Sequence, residues 1–184
     1  MDVEQKVEIA GSIIIRSRVF FDGWWLSAGV QGRSEHRPFW DQYCHYWRFN
    51  EHALLVSYTI HIAGLFESRS DTINLKQLWV SLRERADDLA REDVERLLVE
   101  ARPTVKGVTI LRSNVMAHRS AALEYNDVFK RAGLSPDSMR RLTEIALEII
   151  NRMRTLVGGH SIEFDQFALG DLKAIASLYQ ERIE

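Results

Sequence analysis

Apolar residues recur at three- and four-residue intervals along most of this chain, and those intervals lay out a series of helices. The clearest lies in SPDSMRRLTEIALEIINRMRTLVGG, where Met139, Leu142, Ile145, Ala146, Ile149, Met153 and Leu156 share one helical face. Ser135 is placed to cap the first turn, Pro136 suits the first helical position, and Asp137 complements the positive end of the helix dipole. Gly158 and Gly159 supply a left-handed stop.

A second long helix is predicted over 39–66, FWDQYCHYWRFNEHALLVSYTIHIAGLF. Its second half is apolar nearly all round, as a central bundle helix should be. SRSDT at 68–72 interrupts the pattern, and NLKQLWVSLRERADDL resumes it with Leu75, Leu78, Trp79 and Leu82. The charged stretch REDVERLLVEAR then leads to Pro103, which either starts a helix or kinks a continuing one. From Thr104 to about Tyr125 the apolar stripe is Val108, Leu111, Val115 and Ala122. The N-terminal VEIAGSIIIRSRVFFDGWWLSAG has a β-branched run that would suit a strand, but no partner strand is evident, so a helix is expected. GDLKAIASLYQERIE closes the chain as a short amphipathic helix. With few prolines and no repeat or linker, the expectation is an all-α, up-and-down bundle. Four to five long helices plus short terminal ones would form a single domain over 1–184.

Composition narrows the classes of function. A chain of 184 residues can bury a sizeable core, and a net charge of −2 gives no global attraction to nucleic acid or anionic membrane. The charge is unevenly spread, however. Arg102 to Arg154 holds ten Lys/Arg against five Asp/Glu, which suits either a solvated helix face or an anion-binding surface. Cys44 is the single cysteine, so no internal disulfide can form. No HExxH or close histidine pair supports zinc. There is no signal-peptide order at the N-terminus and no apolar run of about 18 residues for a membrane span. The expected location is the cytoplasm, with no cofactor, metal or membrane partner.

The segment ILRSNVMAHRS, 110–120, departs from the apolar pattern around it. Arg112, Asn114, His118 and Arg119 crowd into two turns of what otherwise reads as a core helix. At about 100° and 1.5 Å per residue, Arg112 and His118 stand roughly 120° apart and about 9 Å along the axis. Such groups suit cleavage of a ribose phosphodiester. The imidazole titrates near neutrality and can give or take a proton, while the guanidinium stays charged and offers a planar fork to phosphate. The plain alternative is a satisfied structural pair on a bundle helix. A second Arg-then-His spacing, Arg154 and His160 in RTLVGGH, is read as coincidence because the glycine pair ends the helix between them.

RSNVMAHRS resembles the signature of the HEPN superfamily, an arginine, a polar residue and then a histidine a few positions later. The chain is similar more narrowly to the AbiU-like abortive-infection branch: HALLVSYTIHIAGLFESRSDTINLKQLW matches its aromatic–aliphatic helix, "LF" pair, polar turn and leucine-bearing helix. VKGVTILRSNVMAHRS follows as the motif helix and SMRRLTEIALEIINRMRTL as the last, over roughly 40–157. Members often read Arg-Asn before Ala-His; here Ser113 follows Arg112 and Asn114 comes one place later. The resemblance implies a bundle that often dimerises, with motif helices facing each other across a cleft, and a metal-independent endoribonuclease of phage defence or a toxin–antitoxin system. It also implies roles. Arg112 would stabilise the phosphate, His118 would transfer protons, Asn114 would support them, and Arg119 with Ser113 would contact RNA. RNA and a second copy are the expected partners, with an antitoxin or a nucleotidyltransferase as further candidates. The alternative is a non-catalytic HEPN-like bundle that binds nucleic acid, a nucleotide or a protein.

Among the remaining residues, His45, His52 and His61 lack acidic or thiol neighbours suited to a metal, and a hydrogen-bonded core role is expected for His61. Trp24, Trp25, Trp40 and Trp47 could stack on bases of single-stranded RNA, but packing in the core or a dimer interface is the favoured reading.

Overall fold

In the computed structural model, residues 1–113, 125–165 and 167–181 are described. They form α1 (Val3–Ala28), α2 (Val30–Glu35), α3 (Arg37–Gln42), α4 (Cys44–Phe66), α5 (Leu75–Leu82), α6 (Asp88–Arg112), α7 (Tyr125–Ala132), α8 (Pro136–Leu156) and α9 (Phe167–Glu181). Among the described residues there is no strand. The fold is an all-α bundle built on the four long helices α1, α4, α6 and α8.

The β-branched N-terminal run is helical because tertiary burial rewards the helical period. Asp2 caps α1 by accepting from the Gln5 N–H at 2.7 Å, and Val7, Ala10, Ile14 and Phe21 are fully buried along one stripe. Helix α4 runs antiparallel to α1. Phe20 meets His61, Phe21 meets Tyr58 and Gly23 faces Leu54, so a short span of α1 spreads over about two turns of α4. Helix α8 lies antiparallel to both α1 and α6. Arg18 reaches Glu144 and Arg154 pairs with Glu8 on the α1 side. On the α6 side Arg141 meets Glu100 at 2.9 Å and Arg152 meets Asp93 at 3.0 Å.

Tyr58 sits at the centre of the core with no exposed surface, its O–H donating to the Met139 carbonyl at 2.7 Å. Burial pushes its phenol well above the ordinary range, against a smaller opposing contribution from Thr143. A second, smaller apolar cluster gathers Leu26, Phe39, Trp40 and Trp47 around Ala176 of α9.

The boundaries of α8 agree with the sequence at both ends. Ser135 accepts from the Ser138 N–H while Ser138 Oγ accepts from the Ser135 N–H, a capping box with serine in the role usually played by glutamate. Gly158, at φ 78°, ends the helix with its N–H on Thr155 O and the Gly159 N–H on Arg154 O.

One boundary differs from expectation, and one alternative left open in the sequence is decided. The predicted 39–66 helix divides at Tyr43, whose φ of −111° and ψ of 33° separate α3 from α4. The charged stretch before Pro103 is itself helical: Asp87 caps α6 by accepting from the Ala90 N–H, and Pro103 falls inside. Helix α6 tolerates it because one lost backbone bond is outweighed by the burial of Val94, Leu97, Ala101, Val108 and Leu111 on both sides. No helix among the described residues is long and apolar enough to cross a membrane.

Candidate functional site

Helix α6 carries Arg112 as its last residue. Leu111 and Val108 are buried, which fixes the rotation of the helix and leaves the neighbouring Arg112 side chain 38% exposed. Ser113 is exposed and continues the right-handed backbone at φ −67° and ψ −37°, its N–H bonded to the Thr109 and Ile110 carbonyls. The Arg112 guanidinium forms an ion pair with Glu67, the residue that closes α4. A planar cation is therefore held at the end of α6 by a carboxylate 45 positions earlier in the chain. Such a pair orients the fork, because a guanidinium presents its donors in one plane.

Close backbone packing fixes the approach to this end of α6. At Gly107 a Cβ would lie 2.5 Å from the Ala132 carbonyl oxygen and 2.7 Å from Leu134 Cδ2. The turn between α7 and α8 is thereby seated directly on α6, five residues before Arg112. The other candidate residues, Asn114, His118 and Arg119, lie outside the described residues, as do Val115 and Ala122 of the predicted stripe. Of the five residues singled out in the sequence, Arg112 and Ser113 have a described position, adjacent at the end of α6.

The second Arg–His spacing has a purely structural arrangement. Arg154 donates from Nε to the His160 carbonyl at 2.6 Å and from Nη1 to Glu8, tying the end of α8 to α1. His61 contacts the Ser57 carbonyl through Nδ1 at 2.7 Å and packs on Phe20. Trp24, Trp40 and Trp47 are buried, as packing residues should be, but Trp25 is half-buried.

Trp25 opens onto a cleft of about 500 Å³ between the end of α1, α2, the first half of α4 and the α7–α8 turn. Trp24 and Trp25 meet Phe129 and Leu134 there, with Trp24 and Phe129 parallel at 5.9 Å. Arg33, Arg48 and Glu51 line the polar side. Glu51 lies 4.0 Å from Arg33, and burial raises its carboxyl above the usual value while Arg33 and Arg48 pull it back. Neither Glu67 nor this cleft stands out in the sequence. The signal for Glu67 was only its place directly after the "LF" pair, and its partner is too distant in the chain to infer from periodicity.

One family model, described as AbiU2 and labelled HEPN_AbiU2, matches residues 7–174. No curated protein and no solved structure matches the chain.

Proposed function

The chain belongs to the HEPN superfamily in its AbiU-like branch, and from that premise we propose that it is a metal-independent endoribonuclease of an abortive-infection or toxin–antitoxin system. One observation carries the proposal. Arg112, the arginine of the motif, stands partly exposed at a helix end with its guanidinium held in place by Glu67, where a phosphate can reach its remaining donors. The bundle would act as one domain over 1–184. Its expected active form is a homodimer in which two motif segments share a cleft. Exposed Tyr46 and Phe49 on the first turns of α4 offer apolar surface for a second copy.

In the proposed reaction the ribose 2′-hydroxyl gives up its proton as its oxygen bonds to the adjacent phosphorus. The bond from phosphorus to the 5′-oxygen breaks, and that oxygen receives a proton. Arg112 stabilises the charge that grows on the phosphoryl oxygens. His118 carries one of the two protons, Asn114 supports it, and Ser113 and Arg119 contact the strand. The products are a 2′,3′-cyclic phosphate and a 5′-hydroxyl. End-group analysis of RNA incubated in EDTA tests this directly. Cyclic phosphate ends are expected, and 5′-phosphate ends or intact RNA would refute it.

The Glu67 pair also supports a second reading. A guanidinium neutralised by a carboxylate serves equally as a clamp between α4 and α6, in a bundle that binds RNA or a partner without cutting. In that case Arg112→Ala would lower stability and leave any RNA affinity intact.

A further inference from the structure

We propose that the cleft beside Trp25 is a nucleotide-binding pocket that takes one nucleoside 5′-phosphate unit, with its base against the aromatic wall and its phosphate on Arg33 and Arg48. The inference deepens the ribonuclease reading by naming where the substrate strand is gripped away from the motif. It rests on that reading only for the source of the nucleotide.

Three features of the cleft converge on this ligand. First, its size: about 500 Å³ falls within the range of small-molecule sites and has room for a base with its sugar. Second, one wall is aromatic. Trp25 is only half-buried, although the neighbouring Trp24 is packed away against Phe129, so part of its indole lines the cleft where a base can pack. Third, the opposite rim is cationic. Arg33 and Arg48 are exposed at the mouth, two guanidiniums against the one carboxylate of Glu51. Glu51, a half-buried carboxylate one helical turn after Arg48, lies 4.0 Å from Arg33 and leaves a net positive charge at the rim. A flat apolar wall facing a positive rim matches the two halves of a nucleotide. It fits a lipid chain or an acidic peptide less well. Stacking tolerates every base, so affinity for single-stranded RNA of any sequence is expected.

The pocket can be tested apart from cleavage, using the His118→Ala protein so that RNA stays intact. Adenosine 5′-monophosphate is titrated by calorimetry, with adenosine and inorganic phosphate as partial ligands. A fluorescently labelled oligoadenylate octamer is titrated in parallel by anisotropy. The intact mononucleotide should bind more tightly than either part. Arg48→Ala, at an exposed position that leaves the core untouched, should weaken both ligands about ten-fold and make octamer binding less steeply dependent on salt. Trp25→Leu should weaken both by a similar factor, about that of one lost base stack. An octamer that binds more tightly than the mononucleotide identifies RNA as the source, and the reverse identifies a free nucleotide. No binding of either ligand, or equal binding by wild-type pocket and Arg48→Ala, would overturn the proposal. If the natural sequence proves unable to cleave RNA but these titrations succeed, the pocket stands and the nuclease reading alone falls.

Discussion

Arg112 and Glu67 join the end of α6 to the end of α4 through an ion pair whose side chains are 38% and 24% exposed. Water still reaches both partners, so their mutual attraction is worth only about 0.2–1 kcal/mol. Its use is in orientation more than in stability. Replacing Glu67 by Gln should lower RNA cleavage about ten-fold, through a loosened guanidinium. The urea midpoint should move by less than about 1 kcal/mol equivalent. A large stability loss with no effect on cleavage would identify the pair as a structural clamp.

Gly107 gives a second outcome, and this one concerns folding. A Cβ there would press on the Ala132 carbonyl, a backbone atom that cannot turn aside. Gly107→Ala should therefore cost about 1–3 kcal/mol in equilibrium unfolding, although alanine favours the helix itself. A neutral or stabilising result would mean that the α7–α8 turn does not seat on α6 as described.

Tyr58 links stability to alkaline pH. Its phenol is held neutral by burial and its folded-state pKa is raised. The stability this gives is complete below the unfolded value near 10 and is lost as pH rises past it. The loss should approach about 1.4 kcal/mol per pH unit for this one proton. Tyr58→Phe removes the titration and should flatten that decline. At neutral pH it should cost about 1 kcal/mol, because the Met139 carbonyl keeps the Thr143 hydroxyl as a partner at 3.0 Å. Thermal melts of both proteins from pH 8 to 11 would show it.

Helix α9 docks through Ala176, which has no exposed surface and touches the Leu26–Phe39–Trp40–Trp47 cluster. Ala176→Asp would place a charge among those rings and should release the helix. Tryptophan emission should shift to the red while the main helical transition persists. An unchanged spectrum would contradict the packing described for α9.

These outcomes also show where the sequence was readable. Helix α8 was legible at both ends because Ser135, Pro136 and Gly158 mark its boundaries chemically, and its stripe faces one core. The break at Tyr43 was not, since neither glycine nor proline occupies it and the apolar pattern runs on. Pro103 was ambiguous in sequence, marking either the start of a helix or a point within a continuing one, and the second holds. A proline usually marks a helix start, but here buried residues on both sides carry α6 through it. At the candidate site, the sequence named Arg112 through its motif but gave no hint of Glu67, whose approach depends on how two helices cross. Trp24 and Trp25 look alike in sequence and both line the cleft, but the rotation of α1 buries the first and leaves the second half-buried.

The central claim is that Arg112 and His118 serve one chemical event, and the rate of RNA cleavage in EDTA by wild type, Arg112→Ala, His118→Ala and the double variant tests it most directly. Groups acting as a unit lose nearly everything at the first removal, so both single variants should fall to about the level of the double. Wild-type cleavage that persists in either single variant, or no metal-free cleavage by wild type at all, would contradict the claim.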